Sequence, residues 1–256
     1  MARRRKVSAA RPTQGAAAAL SDRTRIAGVD ALRGVALLAM IAYHFCFDLR
    51  YFGLIRADFE HDPFWLGART LILSSFLLIA GVSLALADRA GRNSTKFWRH
   101  VAIIALCALA VSGASYALFP RSYIWFGVLH AIAVSLVLAR PLIPFPRAAL
   151  AIGILVIIAG VALSHPAFDN RAFGWLGFMT AKPPTEDYVP LFPWAGVLLC
   201  GVALGHAQER ICVATAPLAA APPWFLWAGR RTLAIYLLHQ PLLLGALWLF
   251  VRTRGV

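Results

Sequence analysis

Charge is scarce in this chain, and acid most of all. Of its 256 residues only 36 are charged, 25 Lys or Arg against 11 Asp or Glu, while 60% are hydrophobic. Soluble domains carry about 25% charged and 45–50% apolar residues. The composition, with a mean hydropathy of +0.70, therefore excludes an ordinary soluble core and implies an integral membrane protein. The shortage of acid leaves a formal charge of +14. In a soluble protein that excess would suggest nucleic acid. Between apolar runs it marks loops on the cytoplasmic side of a membrane, so no nucleic-acid partner is expected.

Cysteine is sparse as well. Cys46, Cys107, Cys200 and Cys212 form no CxxC pair, and the first three lie in apolar runs, where a reduced thiol behaves as a small hydrophobe. Neither disulfides nor zinc are expected. The chain has no HxxxH or HExxH spacing, no Walker loop and no GxSxG, so nothing specific points to a metal, ATP, haem or flavin. It has no internal repeat and no long linker, which favours one domain. The amino-terminal "MARRRKVSAARPTQGAAAALSDRTR" offers only Ala16 to Leu20 as an apolar block, too short for a signal-peptide core. Residues 1–25 are expected to form a disordered, solvated cytoplasmic tail before a membrane domain over residues 26–256. A transit peptide is the alternative for this Arg-rich stretch, whose single acid is Asp22.

A spanning helix needs about 20 apolar residues at about 1.5 Å each. Seven segments approach this: Gly34 to Leu54, Leu66 to Ala87, Val101 to Phe119, Tyr123 to Leu138, Ala148 to Leu163, Val189 to Gly205 and Thr232 to Val251. The fourth and fifth are short. The predicted fold is all-α, a polytopic transmembrane bundle of about seven spans. "VATAPLAAAPPWFLWAG", with three prolines, is expected to be a loop ending in a Trp-rich interfacial turn. "FDNRAFGWLGFMTAKPPTEDYVP" is expected to be an outer loop or re-entrant cap. An inward amino terminus puts 17 Lys or Arg in the cytoplasm and 8 outside. The acids lean the other way but contribute little to orientation, so a cytoplasmic amino terminus in the inner membrane is expected.

The first segment, "DALRGVALLAMIAYHFCFDLR", holds the most chemistry. At about 100° per residue Arg33 and His44 lie about 20° apart around a helix, and Asp48 follows one turn later. With Arg33 at the cytoplasmic interface, His44 lies about 16 Å deeper, near the middle of a core about 30 Å thick. A charge there is costly, so it faces the bundle interior and marks a functional path. A carboxylate that accepts one ring N–H of a histidine leaves the other nitrogen basic, able to activate an amine or hydroxyl. His44 and Asp48 fit that role, against a buried polar network as the structural alternative. Arg33 is either a topology anchor or a phosphate contact.

Further polar groups sit in apolar runs: His130 in mid-helix of the fourth span, and His239 in the seventh beside Gln240 and Pro241. Asp187 and Tyr188 stand at the outer entrance of the sixth, with Trp194 one to two turns in. Histidines from three helices would not face lipid.

Five blocks in order carry a resemblance. They are "DALRGVALLAMIAYHFCFDLRYFG", "FLLIAGVSLAL", "FGVLHAIAVSL", "DYVPLFPWAGVLLCGVALG" and "GRRTLAIYLLHQPLLL". Together they make residues 25–249 resemble bacterial membrane proteins classed with the catalytic domain of heparan-alpha-glucosaminide N-acetyltransferase. The wider transmembrane acyltransferases are similar in placing an Arg eleven residues before a His in their first helix, here Arg33 and His44. The resemblance implies acyl transfer from cytoplasmic acyl-CoA to an acceptor, commonly a sugar, reached from the opposite face. It makes His44 the catalytic histidine and puts Arg33 toward the CoA. In the lysosomal pattern the catalytic histidine falls in the loop after the first core helix, where this chain has His61, so the resemblance leaves two positions open.

The expectation is thus an acyltransferase that takes acetyl-CoA or another acyl-CoA, without a metal. His44 and Asp48 are the catalytic pair, and Arg33, Arg230 and Arg231 hold phosphate. His61, His130, Asp187, Tyr188, Trp194 and His239 line the acceptor path. Membrane lipid and a carbohydrate or other small acceptor are the expected partners, with a homo-oligomer left open. The competing class is a proton-coupled transporter, since buried His and Asp also form proton relays.

Overall fold

The computed structural model describes residues 26–254, so the tail expected over residues 1–25 lies outside the described residues. Within them the protein is all-α. In chain order the helices are α1 (Ala27–Tyr51), α2 (Pro63–Arg89), α3 (Ser94–Leu118), α4 (Val128–Ala139) and α5 (Pro146–Ala162). The short α6 (Arg171–Gly174) precedes α7 (Leu191–Gly205), α8 (Gln208–Thr215), α9 (Pro223–Arg230) and α10 (Thr232–Arg254). Among the described residues the one extended pairing is an isolated parallel bridge between Phe126 and Tyr188.

Four helices, α1, α2, α3 and α10, are long and apolar enough to cross a membrane. A fifth span results if α7 and the segment Gln208–Ala220 are counted together despite a bend of 95°. The seven expected segments are all helical, but three are too short to span alone. At about 1.5 Å per residue, the 12 residues of α4 reach about 18 Å, well under a core of about 30 Å.

The local chemistry explains where these helices stop. Asp62 caps α2, accepting from the Phe64 N–H at 2.8 Å, with Pro63 at the first helical position, where its missing N–H costs nothing. Asn93 caps α3 through the Lys96 N–H at 2.9 Å. The expected fourth span loses its first turn because Tyr123 to Gly127 is claimed by other partners. Ser115 accepts the Ile124 N–H at 3.0 Å and Ser112 donates to the Ile124 carbonyl at 2.6 Å. Helix α4 then starts at Val128. Past its far end, Pro141, Pro144 and Pro146 withhold backbone donors and bring in α5.

Helix α7 is the hub, packed on α2, α4 and α5. Its small residues allow backbone approach: a Cβ on Gly201 would fall 2.1 Å from the Leu78 carbonyl oxygen of α2, and one on Gly196 2.4 Å from the Gly153 carbonyl oxygen of α5. Close backbone packing through small residues is how helices associate where lipid removes the hydrophobic drive. The core around this hub includes Leu77, Ala108, Leu198 and Val202. Outward, Leu106, Leu109, Leu155, Val161 and Leu242 are all more than 60% exposed, as apolar faces turned to acyl chains must be. Helix α1 lies beside this core, held by α2, α9 and α10. The Trp-rich segment forms no eighth span: α9 presents Trp224 and Trp227 outward, the amphipathic habit of an interfacial helix.

Candidate functional site

Helices α1 and α10 meet through two polar pairs one turn apart. In the first, His239 Nε2 lies 3.1 Å from His44 Nδ1, with ring centroids 4.9 Å apart. Their other partners fix the protons. His239 Nδ1 is 2.6 Å from the Tyr236 carbonyl oxygen, so it carries the hydrogen, and Nε2 of the neutral ring is an acceptor. His44 Nδ1 is then the donor, shared with the Met40 carbonyl oxygen at 3.1 Å. That leaves His44 Nε2 with its lone pair. His239 is buried, while the His44 ring is half-buried and reachable.

The second pair corrects the sequence expectation. Asp48 does not orient His44: its Oδ1 accepts from Gln240 Nε2 at 2.7 Å. The physical reason is position on α10, where Gln240 follows His239 and points to the next turn of α1. Asp48 is 1% exposed, so solvation at the outer surface is ruled out as its setting. The side chain hydrogen-bonded to His44 is the imidazole of His239 and not a carboxylate.

A carboxylate–histidine pair exists elsewhere. In the loop after α1, Asp58 accepts from His61 Nδ1 at 3.0 Å and from the Glu60 and His61 backbone N–H groups at 2.9 and 3.0 Å. The Glu60 N–H and the His61 ring hold the Asp58 carboxyl below the usual carboxylate range, because both favour the anion. Both side chains are exposed. The loop is nevertheless tied to α1 through Phe59, which is 2% exposed and packs edge-on to Tyr43 and Phe47 with centroids at 5.3 Å. Tyr43 in turn contacts His44 and Trp65. An aromatic cluster thus ties the loop that carries His61 to the turn of α1 that carries His44.

The expected acceptor residues are more structural than foreseen. His130 is not in mid-helix but in the first turn of α4, where Nδ1 accepts from the Gly127 N–H at 3.2 Å and Nε2 faces the Ser112 hydroxyl at 3.3 Å. Asp187 accepts from the Val128 N–H at 2.8 Å, capping α4 against its positive end. A Cβ on Gly127 would lie 2.3 Å from that carboxylate, which is why glycine stands there. Tyr188 donates to the Gly174 carbonyl at 2.6 Å, and Trp194 packs against the core.

At the opposite end of α1, two of the three expected phosphate-binding arginines are engaged by a carboxylate. Asp30, 2% exposed, accepts from Arg33 Nη1 at 2.7 Å and Arg230 Nε at 3.1 Å. Arg33 also donates to the Ser83 hydroxyl, and Arg231 lies 6.0 Å from the Trp227 ring centroid. The clamp ties α1 to α9, where a Cβ on Gly229 would meet the Asp30 carbonyl oxygen at 1.9 Å.

Asp30, Asp58 and Gln240 were not foreseen as partners. For the first two the sequence carried a signal, an acid three residues before a base in "DALR" and in "DFEH". Gln240 had none, since its partner lies 192 residues away. Among the described residues no cluster of three or more His, Cys, Asp or Glu could hold a metal ion.

Neither the curated proteins nor the solved structures gave a match to the chain. A family model did, that of the catalytic domain of heparan-alpha-glucosaminide N-acetyltransferase, over residues 25–241. This stretch includes both polar pairs, the loop pair and the arginine clamp. By that match the chain belongs to the heparan-alpha-glucosaminide N-acetyltransferase catalytic-domain family of membrane acetyltransferases.

Proposed function

We propose that the protein moves an acetyl or other acyl group from cytoplasmic acyl-CoA to an amine or hydroxyl, a sugar being the favoured acceptor, across the inner membrane. The observation that carries this reading is the oriented chain from the Tyr236 carbonyl through His239 to His44. It leaves His44 Nε2 as an unprotonated base half-buried in a spanning helix. In this role Nε2 takes the proton of the acceptor as its nitrogen or oxygen bonds to the thioester carbonyl carbon. The C–S bond then breaks, and the proton passes from His44 to the departing CoA thiolate. Positive charge on His44 during transfer is shared along the Nδ1–H bond to His239, as a carboxylate would do in a triad.

Arg231, held at the Trp227 ring at this end of α1, suits a CoA phosphate, as does the excess of basic residues expected on the cytoplasmic side. The half-buried Tyr43 and Trp65 rings toward the other end of α1 supply faces for a sugar ring.

A second reading is favoured by the Asp58–His61 pair, which has the carboxylate–histidine arrangement and stands in the loop named by the family resemblance. There His61 is the base and the His44–His239 pair a supporting network. Binding of acetyl-CoA to the purified protein, followed by calorimetry, tests both readings against a transporter. Saturable binding weakened by Arg231→Ala supports acyl transfer; no binding contradicts it.

A further inference from the structure

The second polar pair between α1 and α10 has an imbalance that hydrogen-bond chemistry resolves. Asp48 Oδ1 accepts from Gln240 Nε2, yet Asp48 Oδ2 and Gln240 Oε1 are both buried with no hydrogen-bond partner among the described residues. An ionised carboxylate and an amide carbonyl offer acceptors only. Two orphaned acceptors on one hydrogen-bonded pair, at a residue 1% exposed, carry the full desolvation penalty of each. One proton removes both deficits: placed on Oδ2, it turns that oxygen into a donor and gives the amide oxygen something to accept.

We infer that Asp48 is held as the neutral carboxylic acid, in a reciprocal acid–amide pair with Gln240 that fixes α1 against α10. In that pair the amide N–H donates to one acid oxygen and the acid O–H donates to the amide oxygen. The ionisable groups on the elements around this end of α1 are Tyr43, His44, Cys46, Arg50 and Tyr51 on α1 itself, Arg56, Asp58, Glu60, His61 and Asp62 in the loop, Arg69 on α2, and Tyr236 and His239 on α10. None of them is bonded to either Asp48 oxygen. An anion here would lack the partner that buried charges require. Asp48 and Gln240 lie four residues after His44 and one after His239 respectively, so the pair sets the register at which the two imidazoles meet. Asp48 is thus a positioning residue and takes no proton in the reaction. The significance of that register rests on the acyl-transfer reading, whereas the protonation state of Asp48 does not.

Asp48→Asn separates the possibilities, because an amide keeps both hydrogen bonds. Difference infrared spectroscopy of the purified protein at neutral pH, wild type against Asp48→Asn, is expected to show the C=O stretch of a protonated acid in wild type and its loss in the variant. If the amide variant is not recovered, Asp48→Glu is expected to displace that band. A wild-type spectrum without a protonated-acid band assignable to Asp48 overturns the inference. The activity arm is separate: thiol release from acyl-CoA by Asp48→Asn should stay within about threefold of wild type, since both hydrogen bonds survive. A loss of about 10⁴-fold, the scale seen when a triad carboxylate becomes an amide, would mean that the charge is used and would overturn it. If wild type releases no thiol, the acyl-transfer reading fails while the infrared result still stands.

Discussion

His239 Nε2 receives the Nδ1 hydrogen of His44 across 3.1 Å between two helices separated by most of the chain. One imidazole therefore orients the other and leaves Nε2 of His44 with its lone pair, the base of the proposed transfer. Acyl-CoA-dependent thiol release should fall to background in His44→Ala. In His239→Ala the base survives without its orienting partner, and a loss of about 10²-fold is expected, the lower end of a general-base contribution. Equal losses in both variants, with folding intact, would show that the two rings do not play different roles.

The arginine clamp should matter for stability ahead of chemistry. Asp30→Asn leaves two guanidinium groups facing a neutral amide at a buried position. Breaking a fully buried ion pair costs about 3–5 kcal/mol. The guanidinium groups here reach solvent in part, which lowers the expected cost to about 2 kcal/mol. Thermal unfolding in detergent checks this: Asp30→Asn should melt lower than wild type, and Ser83→Ala should shift it by less.

Asp187 should behave as a helix cap. Asp187→Ala is expected to destabilise the protein by about 1 kcal/mol and Asp187→Asn by less, since asparagine still accepts the Val128 N–H. The two variants should keep that order in thermal unfolding. An acceptor-binding defect of similar size in both, without any change in stability, would instead return Asp187 to the substrate path.

Much of this was legible in the sequence, for identifiable reasons. Scarce charge and long apolar runs announced α1, α2, α3 and α10, because hydropathy over about 20 residues is a local property. The shortened α4 was not legible: its start depends on Asp187 and Ser115, 59 and 9 residues from the atoms they bind. The same holds for the site. Helical spacing correctly put His44 and Asp48 on one face, but the partner of each lies on α10, and spacing within one helix is silent about that. His61 was legible as a residue; its pairing with Asp58 needed the turn that brings the carboxylate back over the ring.

The pH dependence of the loop after α1 follows from Asp58. Its folded carboxyl lies below the usual range, so the unfolded loop binds protons at a higher pH than the folded one. The stabilisation is fully present above the ordinary carboxylate value of about 3.9 and is lost as pH falls through the lower folded value. Amide exchange across residues 58–61 should stay protected from pH 7 through about pH 5 and loosen only on stronger acidification. In Asp58→Asn the protection should be weaker from pH 7 through about pH 5 and should converge with wild type on stronger acidification.

The central claim is that acyl transfer is carried by the half-buried His44 of α1. Release of free CoA thiol from acetyl-CoA by the purified protein, over a panel of amino sugars and sugar alcohols, measures it most directly when wild type is compared with His44→Ala and His61→Ala. The predicted result is acceptor-dependent release that His44→Ala abolishes and His61→Ala preserves to within about threefold, the effect of a group outside the proton transfer. Release abolished by His61→Ala and retained by His44→Ala would contradict the claim and place the chemistry on the Asp58–His61 loop.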